Sequence, residues 1–154
     1  MSSSSWNFSD ALAEAIRVKK CPLIGGLDPQ LRFMPPYMVR EIVSAYGKSF
    51  EAVGHLFYWF NRQVINVLAG IVPAVKPQRA FYECYGPDGD EAFCRTVAYA
   101  HKMGLLVIED GKRNDGGDTA DAYADGHIGQ VPFFGDSDPA VLTHVESPTR
   151  VETA

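Results

Sequence analysis

Three short apolar runs punctuate the chain, and each ends on a charged residue. Residues 22 to 27 lead to Asp28, 71 to 75 lead to Lys76, and 104 to 108 lead to Glu109 and Asp110. Runs of this length, bounded by glycine and proline, predict buried strands. Between them the apolar spacing lengthens to three and four. Leu12, Ala15, Ile16 and Lys19 predict a first helix, capped by Ser9 or Asp10. A long helical region is expected over 38 to 68, broken near Gly47 or Gly54. Phe50, Val53, Phe57, Phe60, Val64 and Val67 form its core-facing stripe. Residues 90 to 103 predict a further helix stopped by Gly104, and Thr119 opens an alanine-rich last one. Gly86-Pro87-Asp88-Gly89 reads as a turn. Residues 131 to 135 read as loop and 140 to 145 as a candidate fourth strand, and nothing after Gly129 continues the alternation.

Strands alternating with helices imply parallel βαβ units, hence an α/β protein. In such folds active sites gather at the C-terminal edge of the sheet. Successive strands deliver Asp28, Lys76, and then Asp110 with Lys112 to that edge. Residues two apart on a strand share a face, so Asp110 and Lys112 project together, with Asp115 just beyond on the turn.

The segment Asp110-Gly111-Lys112-Arg113-Asn114-Asp115 also fits a polar hairpin turn. The helix-favouring residues after Gly117 argue against a returning strand. A calcium loop is excluded, because Lys112 holds its third position and the required glycine and closing glutamate are missing. A magnesium site from Glu109, Asp110 and Asp115 stays open, although Lys112 competes for the same carboxylates. A lysine between carboxylates stays protonated. It is a poor Schiff-base nucleophile and a well-placed proton donor. A carboxylate beside it repels an anionic substrate group, while the ammonium groups stabilise the carbanion left when that group departs. Decarboxylation without an electron-sink cofactor needs that combination.

Composition narrows the classes further. The 154 residues suffice for one domain with a real core, and the net charge of −5 gives no nucleic-acid footprint. Cys21, Cys84 and Cys94 form no C-x-x-C pair and read as reduced thiols of a cytoplasmic protein. The start carries no signal-peptide pattern, and no apolar run is long enough to span a membrane. His55, His101, His127 and His144 have no metal-pair spacing, and no G-x-S-x-G elbow occurs. Residues 1 to 5 and about 146 to 154 are expected to be disordered.

Several of these residues carry a resemblance. Val75-Lys76-Pro77-Gln78 with Ala80-Phe81-Tyr82-Glu83 form one motif. Residues 104 to 124, with D-x-K-R-x-D and the Gly-x-Thr-Ala after it, form the other. Gly26-Leu27-Asp28-Pro29 and Phe60-Asn61 add weaker matches. Over about residues 6 to 135 the chain resembles the orotidine monophosphate decarboxylases, in the bacterial branch with longer chains. The resemblance implies a TIM-barrel enzyme that forms uridine monophosphate with no metal or cofactor. By position, it implies that Asp28 binds the ribose hydroxyls and Lys76 bridges ribose and Asp110. Asp110 would face the substrate carboxylate and Lys112 would protonate the carbanion. Asp115 and Thr119 would reach the site of a neighbouring subunit, making a homodimer. Gly111 stands where alanine is usual, and Gly116 where isoleucine is usual, which loosens the turn that aims Asp115.

A closed eightfold barrel needs roughly 250 residues. The chain is therefore expected to supply the first three to four βα units, as an N-terminal or truncated piece. Barrel phosphate grips usually follow the seventh and eighth strands, and losing remote phosphate binding costs rate as well as affinity. Isolated, the chain is expected to be nearly inactive unless a second piece completes the barrel. Two alternatives stand beside this one. They are a magnesium-dependent sugar-phosphate decarboxylase or aldolase of the same superfamily, and a non-catalytic half barrel that self-associates through its open edges.

Overall fold

The computed structural model describes residues 7–149. The expected disorder of residues 1 to 5 and of 150 to 154 lies outside the described residues. The first helix, α1 (Phe8–Lys19), is capped by Asn7, whose side chain accepts from the Asp10 N–H at 3.1 Å. Asn7 thus takes the role expected of Ser9 or Asp10, and the helix starts two to three residues earlier. Next come β1 (Ile24–Leu27), a 3-10 turn (Leu31–Phe33), α2 (Pro36–Tyr46) and α3 (Phe50–Leu68). The long helical region breaks at Gly47, whose φ of +68° suits glycine and few other residues. Gly54 lies inside α3, where a Cβ would come within 2.6 Å of the Asp88 carbonyl. It is the point of close approach to the next long helix.

Then follow β2 (Ala74–Pro77), the single turn α4 (Ala80–Glu83), α5 (Gly86–Lys102), β3 (Leu106–Val107) and α6 (Asp118–Ile128). The turn expected at Gly86-Pro87-Asp88-Gly89 is instead the opening of α5. Pro87 fits there because the first helical N–H groups lack partners in any case. The three strands form one parallel sheet in the order β1-β2-β3, with Ile24 opposite Ala74 and Ala74 opposite Leu106. Past Val107 the ladder persists irregularly. Ile108 donates to the Val75 carbonyl at 2.9 Å, Asp110 to Pro77 at 3.1 Å, and Arg79 to Asp110 at 2.9 Å. The tip of β3 is thereby tied to the segment after β2.

One face of the sheet packs Leu27, Val75 and Leu105 against Ile65 of α3 and Ala100 of α5. A larger core joins α2, α3, α4 and α5 through Met38, Leu56, Phe57, Tyr82 and Phe93. On α3 the expected stripe faces inward at Val53 and Phe57, and part-way at Phe50, Phe60 and Val64. Val67, its last member, is exposed.

The parallel alternation stops after α6. Residues 131 to 135, read as loop, contribute to β4 (Gln130–Phe133), which pairs antiparallel with β5 (Thr143–Glu146) in a separate sheet. Val131 and Phe134 fill the larger core. The candidate fourth strand thus exists, shifted to 143–146, but it does not extend the parallel sheet. Beyond it, Ser147 is buried and its hydroxyl donates to the Cys84 carbonyl at 3.1 Å. Thr149 also donates from its hydroxyl to the Gly126 carbonyl at 2.8 Å, while Pro148 between Ser147 and Thr149 is exposed.

Candidate active site

The charged residues of the three strand tips meet on the sheet face away from α3 and α5. Lys76 lies on β2, where alternation sets it opposite in facing to Val75 and Pro77. Its Nζ donates to Oδ2 of Asp110 at 2.7 Å. The other oxygen of Asp110 accepts from Lys112 Nζ, also at 2.7 Å. Lys112 in turn lies 3.0 Å from Oδ2 of Asp115. Four groups form a chain of alternating sign: Lys76, Asp110, Lys112, Asp115.

Asp110 is its most enclosed member, with 14% of its side chain exposed, whereas Lys112 is 51% exposed. Hydrogen bonds from Lys112 and then Lys76 hold the Asp110 carboxyl below its ordinary value. Asp110, and after it Asp115, raises the ammonium of Lys112. Lys112 and the Gly116 N–H lower Asp115. Asp110, Lys112 and Asp115 thus favour one another's charged forms around neutral pH. Asp28 behaves differently. Although solvent reaches it, the surrounding protein disfavours its charge and pushes its carboxyl up. Lys76 opposes that shift and Asp110 adds to it. Its carboxylate lies over Gly26, where a Cβ would stand 3.8 Å away.

Asp28, Lys76, Asp110, Lys112 and Asp115 therefore converge, as their spacing suggested. Thr119, the second residue of α6, is half-buried and stands outside the hydrogen-bonded chain. Within this one chain Asp115 pairs with its own Lys112, whereas the resemblance sends it to a neighbour. No group of three or more His, Cys, Asp or Glu among the described residues is placed to hold a metal ion. Both oxygens of Asp110 are already taken by ammonium groups, so a cation there would have to displace one. No described helix is long and apolar enough to cross a membrane.

Sequence reasoning missed a second layer behind these residues. Tyr82 donates to the Leu27 carbonyl at 3.3 Å and accepts from Asn61 at 2.8 Å, fixing the end of β1. Glu83, beside it, meets Arg113 at 2.5 Å, His127 at 3.5 Å and Arg79 at 3.7 Å. The signal was present in Ala80-Phe81-Tyr82-Glu83, but the motif does not reveal which strand tip each side chain supports. A cavity of about 330 Å³ opens to one side, lined by Arg32, Asp118, Asp121, Asp125 and His144 among others. None of the five converging residues lines it.

No protein-family model matches the chain. It is 34% identical over 129 residues to the orotidine 5'-phosphate decarboxylase of Caldicellulosiruptor saccharolyticus, covering 84% of this chain and 42% of that protein. It is 44% identical over 106 residues to that of Rhodopirellula baltica, covering 69% and 34%. A crystal structure from Streptomyces avermitilis, provisionally assigned to the same activity, superposes with a TM-score of 0.53 at 32% identity. That match covers 81% of this chain and 40% of the other. The chain thus spans about two-fifths or less of the length of these relatives. An α/β fold with one parallel sheet, matching that portion of them, is a partial barrel. Sequence and fold agree that the chain is a partial-length match to proteins named orotidine 5'-phosphate decarboxylase.

Proposed function

We propose that this chain forms part of an enzyme that decarboxylates orotidine 5'-phosphate to uridine 5'-phosphate in pyrimidine biosynthesis. The observation that carries the reading is the alternating array itself. An ionised carboxylate, Asp110, is held between two ammonium groups at neighbouring strand tips. Asp110 faces the substrate carboxylate and disfavours its charge. As the C–C bond breaks, its electron pair remains on the ring carbon and carbon dioxide leaves. Lys112 then gives a proton from Nζ to that carbon and regains one from solvent. The upward shift of Lys112 supports this role, since a lysine held protonated is a donor and not a nucleophile. Lys76 keeps Asp110 in place and reaches toward the ribose, whose hydroxyls hydrogen-bond to Asp28.

The same reading makes the whole enzyme a cytoplasmic homodimer acting on a small nucleotide, without metal or cofactor. The motif resemblance at Asp115 and Thr119 supports the dimer. The occupation of both Asp110 oxygens by lysines supports metal-free chemistry. Phosphate binding falls to the barrel segments that the relatives carry and that this chain's three strands do not supply.

The test is turnover of orotidine 5'-phosphate by this chain mixed with a separately produced polypeptide. That polypeptide carries the remaining strands of the Caldicellulosiruptor saccharolyticus relative. Turnover is expected in the mixture, unaffected by chelator, and reduced by about 10²- to 10⁴-fold on Lys112→Ala. Full turnover in that variant removes Lys112 from the donor role. Loss of activity with chelator would restore the magnesium reading. Robust turnover by the chain alone would overturn the need for completion.

A further inference from the structure

Lys112 and Arg113 are adjacent cations beside two carboxylates, Asp110 and Asp115. Either could in principle occupy the array, yet the structure separates them cleanly. Lys112 turns to Asp110 and Asp115. Arg113 turns away: its Nη2 donates to Oε2 of Glu83 at 2.5 Å, and its Nη1 donates to the carbonyl of Gly111. Its guanidinium also sits 5.1 Å from the ring centroid of Tyr123 on α6. Glu83 is well enclosed, with 17% of its side chain exposed, and lies on the short helix after β2. Arg113 therefore joins three pieces: the helix after β2, the turn at the tip of β3, and α6.

Beyond the pairs that Lys112 makes with Asp110 and Asp115, the turn has few ties to other elements. Gly116 and Gly117 meet no neighbours within 4 Å of a built Cβ, and Lys112 itself is about half exposed. The residue before Lys112 is fixed through its carbonyl and the residue after it through its side chain. Both anchors are made by one guanidinium, whose planar fork can serve two acceptors at once.

We propose that Arg113, seated on Glu83, is a positioning residue that aims Lys112 at Asp110. Its relevance to catalysis rests on the decarboxylase reading; its geometric effect does not. Arg113 acts in two ways. It pins the backbone on both sides of Lys112, and its own charge is spent on Glu83, so it does not compete for Asp110. Ala80-Phe81-Tyr82-Glu83 then gains a purpose. Tyr82 steadies the end of β1 and Glu83 the turn after β3, on either side of Lys76.

The experiment is acetylation of the intact chain across a pH series, read by mass spectrometry at each lysine. Lys112 is paired with two carboxylates, so its free-amine fraction is small until high pH. Arg113→Ala and Glu83→Gln should each move the Lys112 profile to lower pH. A fall of half a unit gives about threefold faster labelling on the rising limb. Lys102, on the last turn of α5, should keep its profile. Arg113→Lys should recover only part of the effect, because an ammonium on a shorter reach does not reproduce the fork. An unchanged Lys112 profile in both variants, with circular dichroism intact, overturns the proposal. So does a rise shared by Lys102 and Lys19, which would mean general loosening. Labelling reads the placement of Lys112 and not turnover. An inert enzyme would defeat the decarboxylase reading and leave this result standing.

Discussion

The two faces of the parallel sheet have opposite fates. On one, Leu27 and Val75 are 2% and 0% exposed, sealed by α3 and α5. On the other, Ile24 is 42% exposed, and the same strands carry Asp28, Lys76 and Asp110 toward solvent. The helices therefore supply the folding energy of this sheet from one side only, through apolar burial. The charged side draws on that stability and adds less, since Lys112 is about half exposed and ion pairs open to water are worth little on their own. The difference teaches that the array is held in place by what lies behind it. Tyr82, Glu83 and the ladder bonds from Ile108 to Asp110 fix positions that the charges alone would not.

The strongest way to break this contrast is a cavity on the sealed face. Ile65→Ala, at a fully buried position, should cost about 2–5 kcal/mol in urea denaturation of the chain. A cost below ~1 kcal/mol would mean that α3 does not hold the sheet.

Alkaline titration sharpens the contrast at intermediate size. Burial pushes the Cys84 thiol up to about 12 and lifts the phenols of Tyr82 and Tyr85 above their ordinary range. In the unfolded chain these groups lose protons at lower pH than in the folded one. The folded state then binds more protons, so stability falls as pH rises above about 9, by at most about 1.4 kcal/mol per pH unit per group. Lys112 acts in the same direction. Its pairing stabilises fully below the ordinary lysine value and is lost as pH rises through the folded one. Cys84→Ala should flatten the first part of the decline, measured as the denaturation midpoint against pH. An unaltered slope would place the effect on the open side instead.

The smallest expected effect belongs to the open face. Ile24→Ser should change stability by no more than about 0.5 kcal/mol by thermal melting. A cost of several kcal/mol would show that something covers this side chain in solution.

Much of this architecture was readable before any coordinates, because an apolar run ending on a charged residue is a strong local signal. Asp28, Lys76 and Asp110 reach one edge because their strands run parallel, so their meeting followed from topology, whereas Lys112 lies beyond β3 on the turn. The opening of α5 was misread because glycine and proline punctuate turns more often than helix starts. Gly89 is nonetheless required there by the Tyr82 carbonyl, which a built Cβ would meet at 1.9 Å. The hairpin β4–β5 was hidden because Pro132 interrupts its first strand and removes a donor. Its pairing also joins segments whose match no local window contains. The support from Arg113 was invisible for a related reason. A charged residue beside a charged residue looks like more of the same until its side-chain direction is known.

Within the described sheet, β2 is flanked on both sides, while β1 and β3 each have a single partner. Lys76 therefore stands on the stiffest ground of the three tips. Small excursions of Asp28 or of the Asp110 turn are movements of outer rails about a central one. The ammonium of Lys76 is the fixed point from which the spacing of the other charged tips is set.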